Sequence, residues 1–293
     1  MIALSEEVAA AVAAKKPVVA LESTLVAHGL PWPENFEIGR ALEDEVRKHG
    51  AIPATVAVVG GKISAGIDAA TLERMARGGW RKLGVGDLGV ALARGLDGAT
   101  TVSATTYAAA RAGIRVFATG GIGGVHRGDS LDVSSDLTTL AKEPVAVVSA
   151  GAKAILDLPR TLEMLETLGV PVVGVRTDEF PAFYVTSSGL PLEHRIDSAA
   201  EAAALLRAHW ELGLGGVLLA HPIPKAHELD KKTIDRAIAE ALADADKHKV
   251  RGKALTPHLL AFVSRATAKR SLQANRVLAL SNAAFAAEVA AAL

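Results

Sequence analysis

Cysteine is missing from all 293 residues. That absence removes disulfides, zinc–thiolate sites, iron–sulfur clusters and thiol nucleophiles at once. Aromatic residues are scarce, at 4% of the chain against 50% hydrophobic residues overall. The core must therefore be built from Ala, Val, Leu and Ile, which is ample for a cooperative globular fold. Net charge of either sign is also missing, with 32 basic and 32 acidic residues. No basic field exists to capture nucleic acid, so a phosphorylated ligand would be held by local groups. No uncharged apolar run approaches the ~20 residues needed to span a membrane. The opening segment MIALSEEVAAAVAAKKP carries Glu6 and Glu7 where a signal peptide is positive, and Lys15 and Lys16 follow its apolar run. An amphipathic first helix, and a soluble cytoplasmic protein, are the expectations.

What is present is alternation. Short β-rich runs stand at Val18–Leu21, Thr55–Val59, Arg115–Ala118, Val145–Ser149, Pro171–Val175 and Gly216–Ala220. They are apolar throughout, as strands covered on both faces are. Helical patterns separate them at Pro33–His49, Thr71–Arg77, Thr100–Ala112, Ala154–Leu168, Ser198–Leu212 and Thr233–His248. Pro33 near a first helical position, and Thr100 or Ser198 at an N-cap, mark several starts. From Thr233 onward the pattern is helical. No Pro-, Gly- or Ser-rich linker divides the chain and no fixed repeat is present. The expected architecture is one domain over residues 1–293, a three-layer α/β/α fold with a central, largely parallel β-sheet.

In such sheets, sites form beyond the carboxyl ends of strands. Three segments occupy that position. Glu22 closes the first strand, TGGIGGVHRG follows the strand ending at Ala118, and Lys153 follows the strand ending at Ser149. Neighbouring strands would gather a carboxylate, a glycine turn and an amine around one crevice. Gly120, Gly121, Gly123 and Gly124 suit either an anion cradle or a tight turn packed on the sheet. Adjacent His126 and Arg127 favour the anion site. The spacing completes neither a dinucleotide fingerprint nor a Walker A loop, so no nucleotide cofactor is expected.

DVSSDL offers Asp132, Ser134, Ser135 and Asp136 just before a helical pattern. Helix capping accounts for these residues, and a carboxylate holding a hydrated divalent cation is the other reading; spacing alone favours capping. Lys153 sits among small apolar residues, where a neutral amine could attack a carbonyl or a masked aldehyde. The alternative is a helix-start lysine with its ammonium in water. Glu22 reads equally as a general acid or base and as a strand-end carboxylate accepting backbone hydrogen bonds. Arg81, Lys82, His28, His221 and Asn275 are weaker candidates.

Seven stretches are similar to one family: VALESTLVAHGLPWPEN at 19–35, DGATTVSAT at 97–105, VFATGGIGGVHRG at 116–128, DVSSDL at 132–137, VSAGAKAILDLPRTLEMLET at 148–167, FPAFYVTSSG at 180–189 and GKALTPHLL at 252–260. Together they resemble the pseudouridine-5′-phosphate glycosidases, the indigoidine synthase A-like family, over nearly the whole chain. The resemblance implies reversible cleavage of a C–C glycosidic bond, releasing uracil and ribose 5-phosphate. Glu22 would protonate the ribose ring oxygen while the Lys153 amine attacks C1′, and the iminium would act as electron sink for C–C cleavage. It further implies Asp132 as ligand of one Mn²⁺ whose shell is mostly water, and Lys82, Val102, Ser134, Ser135 and Asp136 as substrate contacts. Thr119, His126 and Asn275 are lesser contacts, and a homotrimer is implied as well. Two departures stand out: HRGDSLD at 126–132 is shorter than its family counterpart, and the second serine of DVSSD is often alanine. The competing readings are another Schiff-base lyase, such as an aldolase acting on a sugar phosphate, and a catalytically silent sensor of nucleotides or sugar phosphates.

Overall fold

The computed structural model describes residues 2–128 and 132–293. Asp129, Ser130 and Leu131, part of the short HRGDSLD segment, lie outside the described residues. Seven parallel strands form the spine of the sheet: β1 (Val18–Leu21), β2 (Ile52–Val59), β3 (Val116–Ala118), β4 (Ala146–Ser149), β5 (Val172–Val175), β6 (His194–Ile196) and β7 (Val217–Ala220). Their spatial order is β2-β1-β3-β4-β7-β5-β6, and each neighbouring pair runs parallel. β1 and β7 are buried at every residue, which explains why they read as unbroken apolar runs.

Helices cover both faces. On one side α1 (Glu34–Lys48) and the C-terminal α5 (Arg270–Ala292) pack together, with α5 lying across β1, β3 and β4. α4 (Ala199–Glu211) packs on the same helix. On the other side α2 (Val102–Ala112) crosses β1, β2 and β3 and meets α3 (Ser135–Lys142). Local chemistry sets these elements. α1 follows Pro33, with Glu34 and Glu37 in its first turn and Arg47 and Lys48 in its last, complementing the helix dipole. α5 contains no glycine or proline and buries Leu278, Ala279, Ala283, Ala286 and Val289. One apolar cluster runs from Val8 to Val289, and each fully buried Val or Leu in it is worth roughly 1.5–3 kcal/mol.

The three-layer, largely parallel arrangement expected from the sequence is present, with differences at its edges. Lys62–Ala65 pairs antiparallel with β2, Ala3–Leu4 extends that edge, and Arg81–Leu83 and Gly98–Thr100 join through β2. These strands of two to four residues are too short to carry a period. Thr100 is no N-cap: it ends a strand, its hydroxyl donating to Val56 O at 2.7 Å, and Thr101 precedes α2. Ser198 does cap its helix, accepting from Glu201 N. The expected helix 154–168 begins only at Leu158, because Asp157 caps it and Pro159 fills its first turn. Residues 156–157 instead pair antiparallel with Val125–His126.

Candidate active site

β1 is flanked by β2 on one side and β3 on the other, so the chain reverses its direction of winding there. Crevices open at such points, beyond the carboxyl ends of the strands. Glu22 leaves β1, Gly120 and Gly121 follow β3, and Lys153 follows β4, the next strand along. The neighbour relation that the sequence reading required therefore holds. A cavity of about 330 Å³ opens there, lined by Glu22, Lys82, Val102, His126, Asp132, Ser134, Ser135, Asp136, Lys153 and Asn275. Of the site residues that the family resemblance implied only Thr119 is absent from its lining, and Thr119 donates its hydroxyl to Glu22 Oε1; Arg81 and His221, weaker candidates of the sequence, line no part of it.

The carboxylate of Glu22 is held at both oxygens, by Thr119 on Oε1 and by the Thr24 hydroxyl on Oε2. Its partners are hydroxyls, not the backbone amides of the strand-end reading. The backbone beneath is fixed in turn. Ser23 is fully buried and donates to Val56 O at 2.6 Å, and Thr100 N donates to Ser23 Oγ at 2.9 Å. Next in the chain, Leu25–Gly29 form a π-helical turn that brings Leu25 and His28 to the cavity. Buried Asn35 holds that turn by donating to Val26 O and Ala76 O.

Asp136 is 5% exposed, and both its oxygens accept backbone amides: Ser103 N at 2.8 Å and Gly123 N at 2.7 Å. It thus ties the glycine turn to the first turn of α2. Ser134 caps α3 by accepting from Asp136 N, as the capping reading held, and it lines the cavity as well. Ser135 Oγ donates to Ser103 Oγ at 3.0 Å. Two helix N-termini, of α2 at Val102 and of α3 at Ser135, meet at this end of the cavity together with Lys82. Amide groups and a cation gathered there suit an anion.

The glycines answer a packing demand. A Cβ on Gly121 would lie 2.6 Å from the Phe183 ring, and one on Gly123 would lie 2.7 Å from Asp136 Oδ2. Phe183 itself holds a φ of 63°, an outlier for a bulky residue, and lines the cavity. Arg127 departs from the sequence reading. Its guanidinium donates to Leu156 O and Ala154 O, both at 3.1 Å, and it lines no part of this cavity. Lys153 is half-buried, five residues before the helix at Leu158, so it is not the helix-start lysine of the alternative reading.

Carboxylates (Glu22, Asp132, Asp136) and lysines (Lys82, Lys153) both line the cavity, and two imidazoles respond to them. Burial pushes the His28 imidazole below its ordinary range, and the Lys82 ammonium pushes the same way. Burial does the same to His126; Asp132 opposes it, while Lys82 and Lys153 reinforce it.

Several contributors gave little signal in the sequence. Thr24 is an ordinary hydroxyl in a loop. Asn282 is fully buried on α5 and donates to Thr119 O at 2.8 Å and Gly120 O at 3.4 Å, while its Oδ1 receives His221 Nδ1 at 3.0 Å. It stands two helical turns beyond Asn275, which explains why α5 presents both to the same end of the sheet. Thr256, Pro257 and Leu260 close another wall; GKALTPHLL contained them without assigning them a place.

Comparison with known proteins agrees with this geometry. The family model described as "Indigoidine synthase A like protein" matches residues 7–292. A protein of Caldanaerobacter subterraneus subsp. tengcongensis named pseudouridine-5′-phosphate glycosidase is 54% identical, covering 99% of this chain and 96% of its own. One from Sorangium cellulosum with the same name is 50% identical, covering 100% of this chain and 93% of its own. Among solved structures, the prealnumycin C-glycosynthase AlnA in complex with ribulose 5-phosphate superposes with a TM-score of 0.92 at 44% identity, covering 100% and 97% of the two chains. An indigoidine synthase A-like protein of Thermotoga maritima superposes at 0.91 with 37% identity, covering 99% and 96%. The chain belongs to the indigoidine synthase A-like family.

Proposed function

We propose that this protein cleaves, reversibly, the C–C glycosidic bond of pseudouridine 5′-phosphate, consuming water and giving uracil and ribose 5-phosphate. The observation that carries the reading is the convergence of Glu22 and Lys153 on one cavity with a cationic end, in a chain about half identical to relatives of that name. An ordinary glycosidase expels an oxygen or nitrogen with two carboxylates. A carbon leaving group is harder to expel, and an amine nucleophile answers that difficulty.

In this reading the phosphate rests at the end formed by Lys82, the α2 N-terminus at Val102, Ser134 and Ser135. The Lys153 amine forms a bond to C1′, and the C1′–O4′ bond breaks as Glu22 delivers a proton to O4′. The new ammonium returns a proton to the Glu22 carboxylate, which passes it to uracil C5; the C1′–C5 bond then breaks, its electron pair passes to the base, and the freed nitrogen lone pair completes the iminium. Water adds to that iminium and releases Lys153 and the open-chain sugar phosphate. Asp136 holds the frame of the pocket through two backbone amides, so its part is to shape the pocket rather than to contact the phosphate.

A hard divalent ion such as Mn²⁺ fits the donors present in one way. An ion of this kind keeps most of its water and takes one carboxylate from the protein, and Asp132 on the cavity wall would supply that carboxylate. Such an ion, when bound, would supply positive charge to an anionic substrate.

The test is incubation with pseudouridine 5′-phosphate and Mn²⁺, with and without chelator, assaying both products, alongside Mn²⁺ binding to wild type and Asp132→Ala by electron paramagnetic resonance. Equimolar uracil and ribose 5-phosphate are expected, with weakened Mn²⁺ binding in the variant. A folded protein that releases neither product overturns the reading. Conversion of the sugar phosphate without any action on the nucleotide would favour the aldolase alternative instead.

A further inference from the structure

The segment that carries Lys153 is backed in an unusual way. Lys153 to Leu156 form a four-residue turn closed by Leu156 N–H donating to Lys153 O at 2.9 Å. Lys153 N–H donates to Ile122 O at 3.1 Å, and Leu156–Asp157 pairs with Val125–His126. Ile155 is fully buried in the core. The residues on either side of it border open space: Ala154 and Leu156 line a second cavity of about 350 Å³, and Leu156 lines the first cavity as well. The turn is therefore a partition, with Lys153 on the wall of the first cavity.

Apolar packing of Ala154, Ile155 and Leu156 holds the turn against the core, but packing is non-directional, so hydrogen bonds to the turn's carbonyls set its orientation. Arg127 supplies two of them. It follows directly on the paired residue His126 and lies along the second cavity, where Nε reaches Leu156 O and Nη2 reaches Ala154 O, both at 3.1 Å. These are the carbonyls of the second and fourth residues of the turn. A planar guanidinium fork can hold two such acceptors at a set spacing, which a lysine ammonium on a flexible stem cannot.

From this we infer that Arg127 is a positioning residue for the Lys153 nucleophile, bracing its turn from a cavity that does not hold the substrate. The inference rests on the imine chemistry proposed above. Loss of the brace lets the amine drift from its line of attack, and small displacements of a reacting group cost rate steeply.

Three forms of the full chain test it: wild type, Arg127→Ala and Arg127→Lys. One readout needs no substrate, namely hydrogen exchange of the peptide spanning residues 152–158. The other is cyanoborohydride trapping of ribose 5-phosphate on Lys153, followed by mass spectrometry. In Arg127→Ala we expect exchange to quicken and trapping to slow, each by about tenfold, at an unchanged melting temperature. Methylguanidinium, small enough for the second cavity, should restore trapping in that variant, and Arg127→Lys should fall between the other two forms. Wild-type exchange and trapping in Arg127→Ala would overturn the inference. So would full activity in Arg127→Lys, because charge alone would then suffice. If the wild type is not trapped while Arg127→Ala still exchanges faster, the imine reading fails and the brace stands.

Discussion

The two sides of the cavity are held by different means. On the Glu22 side every support but the half-buried Thr24 is buried. Ser23 and Thr100 fasten the strand end to Val56, Thr24 and Thr119 take one carboxylate oxygen each, and Asn282 grips the Thr119 and Gly120 carbonyls from behind. On the Lys153 side the chain is a turn bordering a second cavity, steadied by backbone pairing and by an exposed arginine. The difference matches what each group must do in the proposed reaction. A proton donor keeps one position, whereas an amine that bonds to carbon, becomes an iminium and is released must follow its carbon as hybridisation changes. Buried side chains hold the acid from behind, and one exposed arginine with a short strand pair holds the nucleophile's turn.

The largest expected effect is on the Lys153 side. Lys153→Ala should lower uracil release by at least ~10³-fold with unchanged circular dichroism and melting temperature; retained turnover would sink the assignment.

The next effect belongs to the Glu22 side and is one of stability. Burial pushes His221 from an ordinary value of 6.5 down to about 4, with Arg176 adding to the shift and the Asn282 contact opposing it. Because the folded form resists protonation, the unfolded chain binds more protons below pH 6.5. Stability from the neutral imidazole is complete above pH 6.5 and is lost as pH falls toward 4, a difference of about 3 kcal/mol at ~1.4 kcal/mol per pH unit. Denaturation between those limits measures it, and His221→Gln should flatten the slope. An unchanged slope in that variant would assign the acid sensitivity to another group.

The smallest effect concerns the hydroxyls on the acid. Thr24→Val and Thr119→Val each remove one donor to Glu22 and should lower kcat by up to about tenfold, the scale of one hydrogen bond, with KM nearly unchanged. A change confined to KM would mean that these hydroxyls meet the substrate and not the acid.

Much of this was legible in the sequence, and the reasons are specific. β1, β3 and β4 are covered on both faces, so their apolar runs announced them, and Glu22, the glycine turn and Lys153 stand immediately beyond their ends. Arg127 was misread because a cation beside glycines looks the same in sequence whether it faces an anion or two carbonyls. The pairing of residues 156–157 with 125–126 stayed hidden, since two-residue strands have no period. Asn282 was invisible for another reason: a lone amide in an alanine-rich helix acquires its meaning only from the loop that α5 crosses. The glycines were assigned to anion approach, whereas Phe183 and Asp136 set the demand for Gly121 and Gly123.

The hydrogen bond from Asn282 to Thr119 spans 163 positions of sequence, and that separation has a consequence during synthesis. A chain emerging from the ribosome can pair β1, β2, β3 and β4 early, yet β7 must still insert between β4 and β5. Until it does, β4 exposes an open, apolar edge of the kind that recruits foreign strands. α5 arrives later still, so until it docks the nascent chain carries Glu22 and Lys153 without the Asn275 wall or the Asn282 grip. The proposed nucleophile and its acid are thus kept from competent geometry until the last helix is in place.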